Sequence, residues 1–486
     1  MKKTDIFIKK KMTGMFCLGF SSGLPILLIF STLSVWLVKA GVNRSTITLF
    51  SWAGFAYAFK YLWSPLVDNY RLPIFRKFGQ RRSWLFFTQI FIIFALILIS
   101  FTDPQNNLLY TALFITLLAF CSSTQDIVID AFRIESAPQS LQGPLSSMYI
   151  AGYRVAMLVA GAGSLWLAAF FGTEVYDQYV WKKVYLIMAI LMIIGILATI
   201  SSDEPRGKKK IKTSNHLSFL FTIFISLIGF LFLYSLFNNP FSNDKLFLSF
   251  VFSILRLITC FIFSFLIIQF LILNKFINKE KIVKTYLNPI NNFLKRYGKF
   301  AFLILLLISL YRIADVVMGV MANIFYLEKG YKIIEIATFS KFFGVFATIL
   351  GGLIGGFTAY KIGTMKSLFF GALIAAASNF LFALLAISPI SLNFLIAVIT
   401  ADNISSGFAG AAFVVYLSGL TSVKFTATQY ALFSSIMLFL PKLIAGYAGS
   451  WVDVMGYPYF FSLTAFLGVP VLFLIIWISK VAPIKN

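Results

Sequence analysis

Long apolar runs constrain this chain more than any other feature of its sequence. Stretches of about 18 or more residues with few or no charges recur along its whole length, and each is long enough to cross a bilayer as an α-helix. The 486 residues are 59% hydrophobic, with a mean hydropathy of +0.89. A soluble domain of this size is not that apolar, so the sequence predicts an all-α polytopic membrane protein.

About fourteen spans are predicted, as two sets of six with an extra pair between them. Their bounds are 13–38, 45–66, 83–101, 107–132, 146–171, 182–201, 217–237, 246–273, 301–325, 334–359, 366–387, 392–418, 428–450 and 457–480. This spacing predicts three domains. A first six-helix bundle occupies 1–203, a linker with the two extra helices occupies 204–299, and a second six-helix bundle occupies 300–486.

The net charge of +24 is distributed between the spans. The N-terminal tail and the segments 71–82, 206–212 and 275–299 are basic, whereas the loops 102–106 and 388–392 contain no Lys or Arg. This alternation predicts that both termini are cytoplasmic, and it favours the lipid bilayer over nucleic acid as the partner of the basic residues.

Metal and disulfide chemistry has little support in the sequence. Cys17, Cys121 and Cys260 lie in apolar runs without CxxC spacing, and His216 is the single histidine. We therefore expect no metal site, no disulfide framework and no bound cofactor.

A charged face interrupts the fourth span. On a helix, Asp126, Asp130 and Arg133 share one side, while Glu135 points the opposite way and is expected to anchor a loop. A charge in hydrocarbon costs at least about 2.5 kcal/mol unless it is paired or hydrated. Arg154, about two turns into the next span, is the predicted partner of Asp126 or Asp130. The pair is either a structural ion pair or an inner gate that opens during transport.

The second half carries its own mid-membrane charges. Arg312 and Asp315 are spaced i, i+3 and can pair with each other, and Lys341 lies in the outer third of its span. Asp402, followed by Asn403, lies near the middle of the bilayer. Charged residues at this depth are functional by default, which makes these residues candidates for proton coupling or substrate contact, with Asp315 and Asp402 as candidate proton carriers.

Four further charged residues surround the connection between the second and third spans. Lys60 either extends its ammonium toward the cytoplasmic interface or takes part in a transport-cycle salt bridge. Asp68 stands opposite Arg81 or Arg82 and is predicted to act as a gate or a loop brace.

A weak internal repeat relates the two halves. The second span ends at 65–68 and is followed by a basic turn at 79–82, and the tenth ends in the glycine-rich run 351–356 before a basic turn at 360–366. Two parallel six-helix repeats of this kind resemble the major facilitator superfamily. In such a core, helices 1, 4, 7 and 10 line the cavity. The small residues 405–412 predict close helix packing.

The order of the motifs resembles the AmpG-type muropeptide permeases and, more distantly, acetyl-CoA transporters. The segments that carry the resemblance are 19–25, 60–68, 125–135, 152–154, 311–315, 340–341 and 426–432. Two positions depart from the family pattern. Asn69 replaces the usual Arg, which weakens the gate interpretation, and Asp402 replaces the commoner Glu, which keeps the acid but shortens it.

This resemblance implies the import of anhydro-muropeptides (GlcNAc-anhydro-MurNAc with or without peptide) from periplasm to cytoplasm for cell-wall recycling. It implies proton symport with the proton gradient as the energy source, a monomer, and a bacterial inner membrane.

Two alternatives remain open at this point. The chain could transport another anionic solute such as acetyl-CoA or a peptide, or it could be a polytopic membrane enzyme or sensor. No nucleophile–base pair or soluble catalytic loop in the sequence favours the enzyme.

Overall fold

A computed structural model describes most of the chain. The described residues are 3–69, 72, 75–136, 139–172, 176–205, 225–226, 228–230, 232–237, 246–276, 280, 287–421 and 426–481. Every element bounded within these ranges is a helix. Residues 217–224, 227 and 231 of the predicted span 217–237 lie outside them.

The helices before the central linker are separated by short breaks and turns. They are α1 Lys3–Leu27, a π-helical turn Leu28–Thr32, α2 Leu33–Lys39, α3 Arg44–Leu49, a 3-10 turn Phe50–Gly54, α4 Phe55–Ala58, α5 Lys60–Asn69, a 3-10 turn Arg76–Phe78, α6 Gln80–Ser100, α7 Leu108–Ser136, α8 Gln139–Leu158, a π-helical turn Val159–Gly163, α9 Ser164–Phe171, α10 Gln178–Leu191 and α11 Ile193–Ser201.

The remaining helices follow the same pattern. They are α12 Leu246–Leu273, α13 Asn288–Tyr297, a 3-10 turn Gly298–Phe300, α14 Ala301–Leu310, α15 Ile313–Lys329, α16 Ile333–Glu335, a π-helical turn Ile336–Phe343, α17 Gly344–Ile362, α18 Thr364–Ile387, α19 Leu392–Leu420, α20 Thr426–Ala445, α21 Ala448–Phe466 and α22 Val469–Val481.

The chain divides into two compact units. The larger contains residues 1–60, 71–207 and 300–486, and the smaller contains residues 61–70 and 208–299. The larger unit therefore holds helices from both predicted bundles. The domain boundaries expected from the sequence stay a prediction.

Eleven helices of the described residues are long and apolar enough to cross a membrane, and the shorter Gln429–Ala445 is also apolar. This confirms the polytopic all-α class. The predicted span 45–66 is helical but not one continuous α-helix, because a 3-10 turn occupies Phe50–Gly54 and a break follows α4. The turn places the Trp52 indole N–H 3.3 Å from the Leu443 carbonyl oxygen, which is a contact that local sequence does not encode.

The last predicted spans also divide differently. The span expected at 428–450 ends at Ala445, and Gly456 interrupts α21 with a positive φ of 77°. The final predicted span, 457–480, therefore begins just after this kink and continues through the break between α21 and α22.

Glycine allows the helices to meet backbone to backbone. A Cβ added at Gly152 of α8 would lie 1.9 Å from the Phe16 carbonyl oxygen of α1, and one at Gly19 would lie 2.2 Å from that of Tyr149. In the second half, a Cβ at Gly407 would lie 2.1 Å from the carbonyl oxygen of Thr348. The predicted close packing of the run 405–412 is therefore confirmed there.

The internal repeat has a matching backbone turn. Gly79 has φ 94° and ψ −171°, and Gly363 has φ 88° and ψ 158°, and each directly precedes the helix that follows its basic turn. Only glycine adopts this region readily. At Gly79, a Cβ would also lie 2.3 Å from the Glu204 carboxyl carbon. That carboxylate accepts hydrogen bonds from the first three backbone N–H groups of α6, which have no partner inside the helix.

Adjacent glycines in α17 test the packing. A Cβ at Gly355 would lie 2.5 Å from the Phe408 carbonyl oxygen, whereas one at Gly356 would have no atom within 4 Å. We expect Gly355→Ala to destabilise the protein by about 1–3 kcal/mol through overpacking, and Gly356→Ala to cause no such loss. Thermal unfolding of the two purified variants, followed by tryptophan fluorescence, measures the difference. Equal stability of both variants would contradict the packing described here.

Candidate functional site

The second half brings four predicted charged residues close together. Arg312 lies in the break between α14 and α15, and its Nη2 is 2.8 Å from Oδ2 of Asp315. The predicted i, i+3 pair is therefore present. Only 7% of the Asp315 side chain is exposed. Because the pair neutralises both charges inside the protein, it removes most of the cost of placing them at this depth.

Neighbouring residues of α19 complete the polar contacts of this pair. The Ser406 hydroxyl lies 3.3 Å from Arg312 and donates to Asp315 at 3.2 Å. A Cβ at Gly410 would lie 3.3 Å from Arg312 Nη1, so glycine leaves room for the guanidinium. The Arg312 Nε is buried without a hydrogen-bond partner among the described residues.

Asp402 and Lys341 belong to the same group of charges, which we call the second-half cluster (Arg312, Asp315, Lys341 and Asp402). Asp402 interacts electrostatically with the other three members, and Ser378 contacts its carboxyl group. Its Oδ1 is buried and has no hydrogen-bond partner among the described residues. Unlike Asp315, Asp402 forms no ion pair within 4 Å in that part of the chain.

The side chain of Asn403 forms hydrogen bonds within its own helix and with a neighbouring helix. Its amide nitrogen donates to the Ile399 carbonyl at 2.8 Å, and its Oδ1 accepts from the Thr348 hydroxyl at 3.0 Å. The side chain therefore connects α19 with α17, beside Gly344. The predicted role of Asn403 in substrate or proton binding stays a prediction.

The first half surrounds Asp126 with hydroxyl groups. The Ser22 hydroxyl of α1 donates to Asp126 Oδ1 at 2.5 Å and lies 3.0 Å from the Tyr149 hydroxyl of α8. Lys60 is close enough to interact electrostatically with Asp126. This proximity agrees with the pairing interpretation of Lys60, although no ion pair within 4 Å joins the two described side chains.

The predicted pairing of Arg154 is wrong. Asp130 pairs instead with Arg133 of its own helix at 3.5 Å, and Arg133 also donates to the Ser146 hydroxyl. The Arg154 guanidinium contacts the Met157 sulfur at 3.7 Å and forms no ion pair among the described residues. The physical reason is that local partners, Ser22 for Asp126 and Arg133 for Asp130, already satisfy both carboxylates.

Arg81 and Arg82, the predicted gate residues at the start of α6, contact partners other than the predicted Asp68. Arg81 pairs with Glu135 at 2.7 Å, which agrees with Glu135 as an anchor. Arg82 donates to the carbonyls of Thr199 and Ile200 at 2.9 and 3.1 Å. The side chain of Asp68 lies outside the described part, so its pairing with either arginine stays a prediction.

A cavity of about 280 Å³ lies between helices of the two halves. Its polar lining consists of Ser31, Ser34, Ser51, Asp315, Asn323, Lys341 and Lys442. Helices 1 and 7 of the twelve-helix core line it as expected, but α7 and α19, which correspond to helices 4 and 10, contribute nothing to it. Neither Asp126 nor Asp402 is among the residues that line this cavity.

Lys442 and Asn323 are the cavity residues that sequence reasoning missed. Asn323 of α15 donates to both hydroxyls of Ser31 and Ser34 at 3.2 and 3.0 Å, and so joins the two halves. The Lys442 ammonium lies 4.1 Å from the centre of the Phe30 ring. The sequence signal for Lys442 is a lysine that directly follows Pro441 inside an apolar helix.

No group of three or more His, Cys, Asp or Glu side chains that could hold a metal ion occurs among the residues described by the structure.

Comparison with known proteins identifies the family. Residues 12–327 match the Major Facilitator Superfamily. The chain belongs to this superfamily. It is 31% identical over 98% of its length to a protein of Rickettsia felis that bears the name AmpG 4, and covers 98% of that chain. It is 29% identical to the anhydromuropeptide permease of Escherichia coli K12, over 97% of this chain and 80% of the relative. Within the superfamily the chain therefore belongs to the AmpG family.

Solved structures of other major facilitators share the fold. A peptide transporter of the POT family in complex with sulfate has a TM-score of 0.66, with 10% identity over 97% of this chain and 94% of its own. The xylose transporter XylE of Escherichia coli, in a partially occluded inward-open conformation, has a TM-score of 0.60 and 10% identity over 98% of each chain. Its membership of this transporter superfamily, and not the likeness to these structures, makes the chain a multi-pass membrane transporter and not an enzyme.

At one end of this major facilitator, charged side chains of the two halves form ion pairs. Arg44 of the first half donates to Glu328 at 2.8 Å and to Asp453 at 3.0 Å, both in the second half. The Tyr457 hydroxyl donates to Glu328 at 2.6 Å. We call Arg44, Glu328, Asp453 and Tyr457 the outer clasp, because the charge distribution predicts that this end faces outward. The hydrogen bond with Glu328 raises the pKa of Arg44 above its usual range, so the guanidinium stays charged.

Removing the clasp should open this end. We expect Arg44→Gln to increase the labelling rate of a Val320→Cys cavity residue by about 2- to 30-fold, because two partly exposed ion pairs contribute about 0.2–1 kcal/mol each. Maleimide labelling from the outer side, with Cys17, Cys121 and Cys260 replaced, measures that rate.

Lys10→Gln is the matched control, because its exposed ion pair with Asp203 at 3.9 Å lies within the first half. The clasp would have no gating role if the two variants were labelled at the same rate.

Proposed function

We propose that this transporter imports anhydro-muropeptides from the periplasm to the cytoplasm for cell-wall recycling, by proton symport with alternating access. The observation that carries the proposal is the similarity to the anhydromuropeptide permease of Escherichia coli over 97% of the chain. The continuity of that match supports the same substrate class, since it includes both halves and the cavity between them.

The chemistry of the cavity supports a solute that is both anionic and rich in hydroxyl groups. Lys341 and Lys442 supply positive charge, and the three serine hydroxyls supply hydrogen-bond donors and acceptors. GlcNAc-anhydro-MurNAc offers hydroxyl, acetamido and carboxylate groups to such a lining. Acetyl-CoA or a peptide, the other anionic solutes considered, would find the same lysines, so competition experiments must separate them.

Alternating access follows from how the halves contact each other. The outer clasp, the Asn323 hydrogen bonds to the first helix and the Trp52 contact with Leu443 all join the two halves near one end. Opening toward the periplasm requires these contacts to break together. Each is individually weak, so a change in the occupancy of the cavity is sufficient to shift the equilibrium.

Asp402 is the proposed proton carrier. The Asp315 carboxylate is held by the Arg312 guanidinium, whereas Asp402 Oδ1 is buried and has no partner among the described residues. An acid without an ion pair is better placed to bind and release a proton during each cycle. Its electrostatic contact with Lys341, which lines the cavity, supplies a route by which the solute and the proton affect each other.

The same proposal includes the location, orientation, oligomeric state and energy source of the transporter. The transporter works as a monomer in the bacterial inner membrane, with both termini cytoplasmic and the outer clasp on the periplasmic side. The proton gradient is its energy source, and it needs no bound cofactor.

Uptake into right-side-out membrane vesicles tests the function. We expect labelled GlcNAc-anhydro-MurNAc to accumulate unchanged when the outside is acidic, and a protonophore to abolish accumulation. Vesicles without the protein are the control. Absence of uptake would refute the substrate, and uptake insensitive to the gradient would refute the coupling. Uptake of labelled acetyl-CoA, in vesicles that take up no labelled muropeptide, would favour the other anionic solute.

Removing the carboxylate of Asp402 tests the proton carrier. We expect Asp402→Asn to lose gradient-driven accumulation but to retain exchange of labelled for unlabelled solute, because exchange needs no net proton movement. Asp203→Asn, which removes a 70% exposed acid paired only with Lys10, should behave like the unchanged protein. Gradient-driven accumulation by Asp402→Asn would exclude this residue.

A further inference from the structure

The two lysines in the cavity wall differ in their surroundings. Lys341 lies within electrostatic reach of Asp402. Lys442 has no acidic partner within 4 Å among the described residues, and its ammonium instead lies over the Phe30 ring at 4.1 Å. A ring face offsets only part of the lost hydration of an ammonium, at about 0.5–2 kcal/mol. Lys442 is therefore the cation in this wall that most needs an anion.

The charges around the cavity do not balance. The charged side chains that line it are Lys341, Lys442 and Asp315. In their ionised forms, two positive charges face one negative charge. One carboxylate from a ligand would neutralise the remaining charge.

The structure makes room for the Lys442 side chain. A Cβ at Gly54 would lie 3.1 Å from both Cδ and Cε of Lys442, so the glycine accommodates the aliphatic part of the side chain. Gly54 closes the 3-10 turn of the first half, and Lys442 belongs to α20 of the second half. The lysine is therefore positioned by both halves.

We propose that Lys442, with Lys341 beside it, is a specificity-determining residue that binds a carboxylate group of the transported solute. This assignment rests on the proposed function and names the part of the substrate that the cavity recognises. At about 280 Å³, the cavity lies close to the lower end of the roughly 300–1,000 Å³ of pockets that enclose a drug-sized ligand.

A carboxylate is the group common to all forms of this solute. The disaccharide without peptide carries the lactyl carboxylate, and a form with peptide carries the carboxylates of the peptide. Lys442 can therefore bind the solute with or without peptide, because the ammonium needs only a carboxylate as its partner.

Binding to the purified full-length protein tests the assignment. The two probes are GlcNAc-anhydro-MurNAc and its neutral lactyl amide, measured by isothermal titration calorimetry. Loss of a charged hydrogen bond weakens binding by roughly 10- to 100-fold, so the unchanged protein should prefer the acid by that factor. Lys442→Gln should bind acid and amide about equally, whereas Lys442→Arg should keep most of the preference.

Two further variants test whether the position of the Lys442 ammonium matters in addition to its charge. Gly54→Ala keeps the charge but displaces the lysine, and should reduce the preference for the acid. Lys361→Gln is the matched control, because Lys361 also lies over a ring, that of Phe357 at 4.6 Å, but is exposed. It should leave the preference unchanged. Thermal unfolding of each variant verifies that it is folded.

The outcomes distinguish the two proposals. If the unchanged protein binds acid and amide equally well, or if folded Lys442→Gln keeps the full preference, the carboxylate assignment is overturned and the substrate stands. If the unchanged protein binds neither probe but binds acetyl-CoA, both the substrate and the assignment are overturned.

Discussion

Helices in a membrane cannot rely on the hydrophobic effect to hold them together, because lipid tails are as apolar as their own side chains. Close backbone contact at small residues takes over that role here. Gly19 and Gly152 bring α1 against α8, and Gly407 brings α19 against α17. These contacts set the rotation and depth of each helix, and every other feature of the site depends on them. Ser22 lies 3.0 Å from the Tyr149 hydroxyl, for example, because its helix lies directly against α8.

Some ion pairs within one half are less exposed than those between the halves, which must separate during transport. Two pairs that stay within one half, Arg312 with Asp315 and Arg81 with Glu135, are short and partly buried. The ion pairs that join the halves in the described part of the chain both belong to Arg44 and are more exposed. Water screens an exposed pair, so the pairs between halves cost less to break in a transport cycle than these two.

Much of the candidate site could be predicted from the sequence, because a charge in an apolar run is visible without any structure. The Arg312–Asp315 pair followed from its spacing, and the superfamily followed from the repeat and the order of the motifs. Lys442 was not recognised, since a single lysine within a helix does not reveal which side faces a cavity. Arg44 and Glu328 were not recognised either. These two residues lie 284 residues apart in the sequence. Charged residues are common in loops, so neither residue by itself indicates an ion pair.

The membrane class follows from composition, the superfamily from the internal repeat and the order of the motifs, and the pairs within one helix from its period of 3.6 residues. The partners between helices are visible only in the tertiary structure. Arg154 contacts Met157, and Lys442 lines the cavity. Arg44 forms ion pairs with Glu328 and Asp453. The reason is geometric. Such contacts depend on how far each helix is rotated and shifted against its neighbours, and no local pattern encodes that.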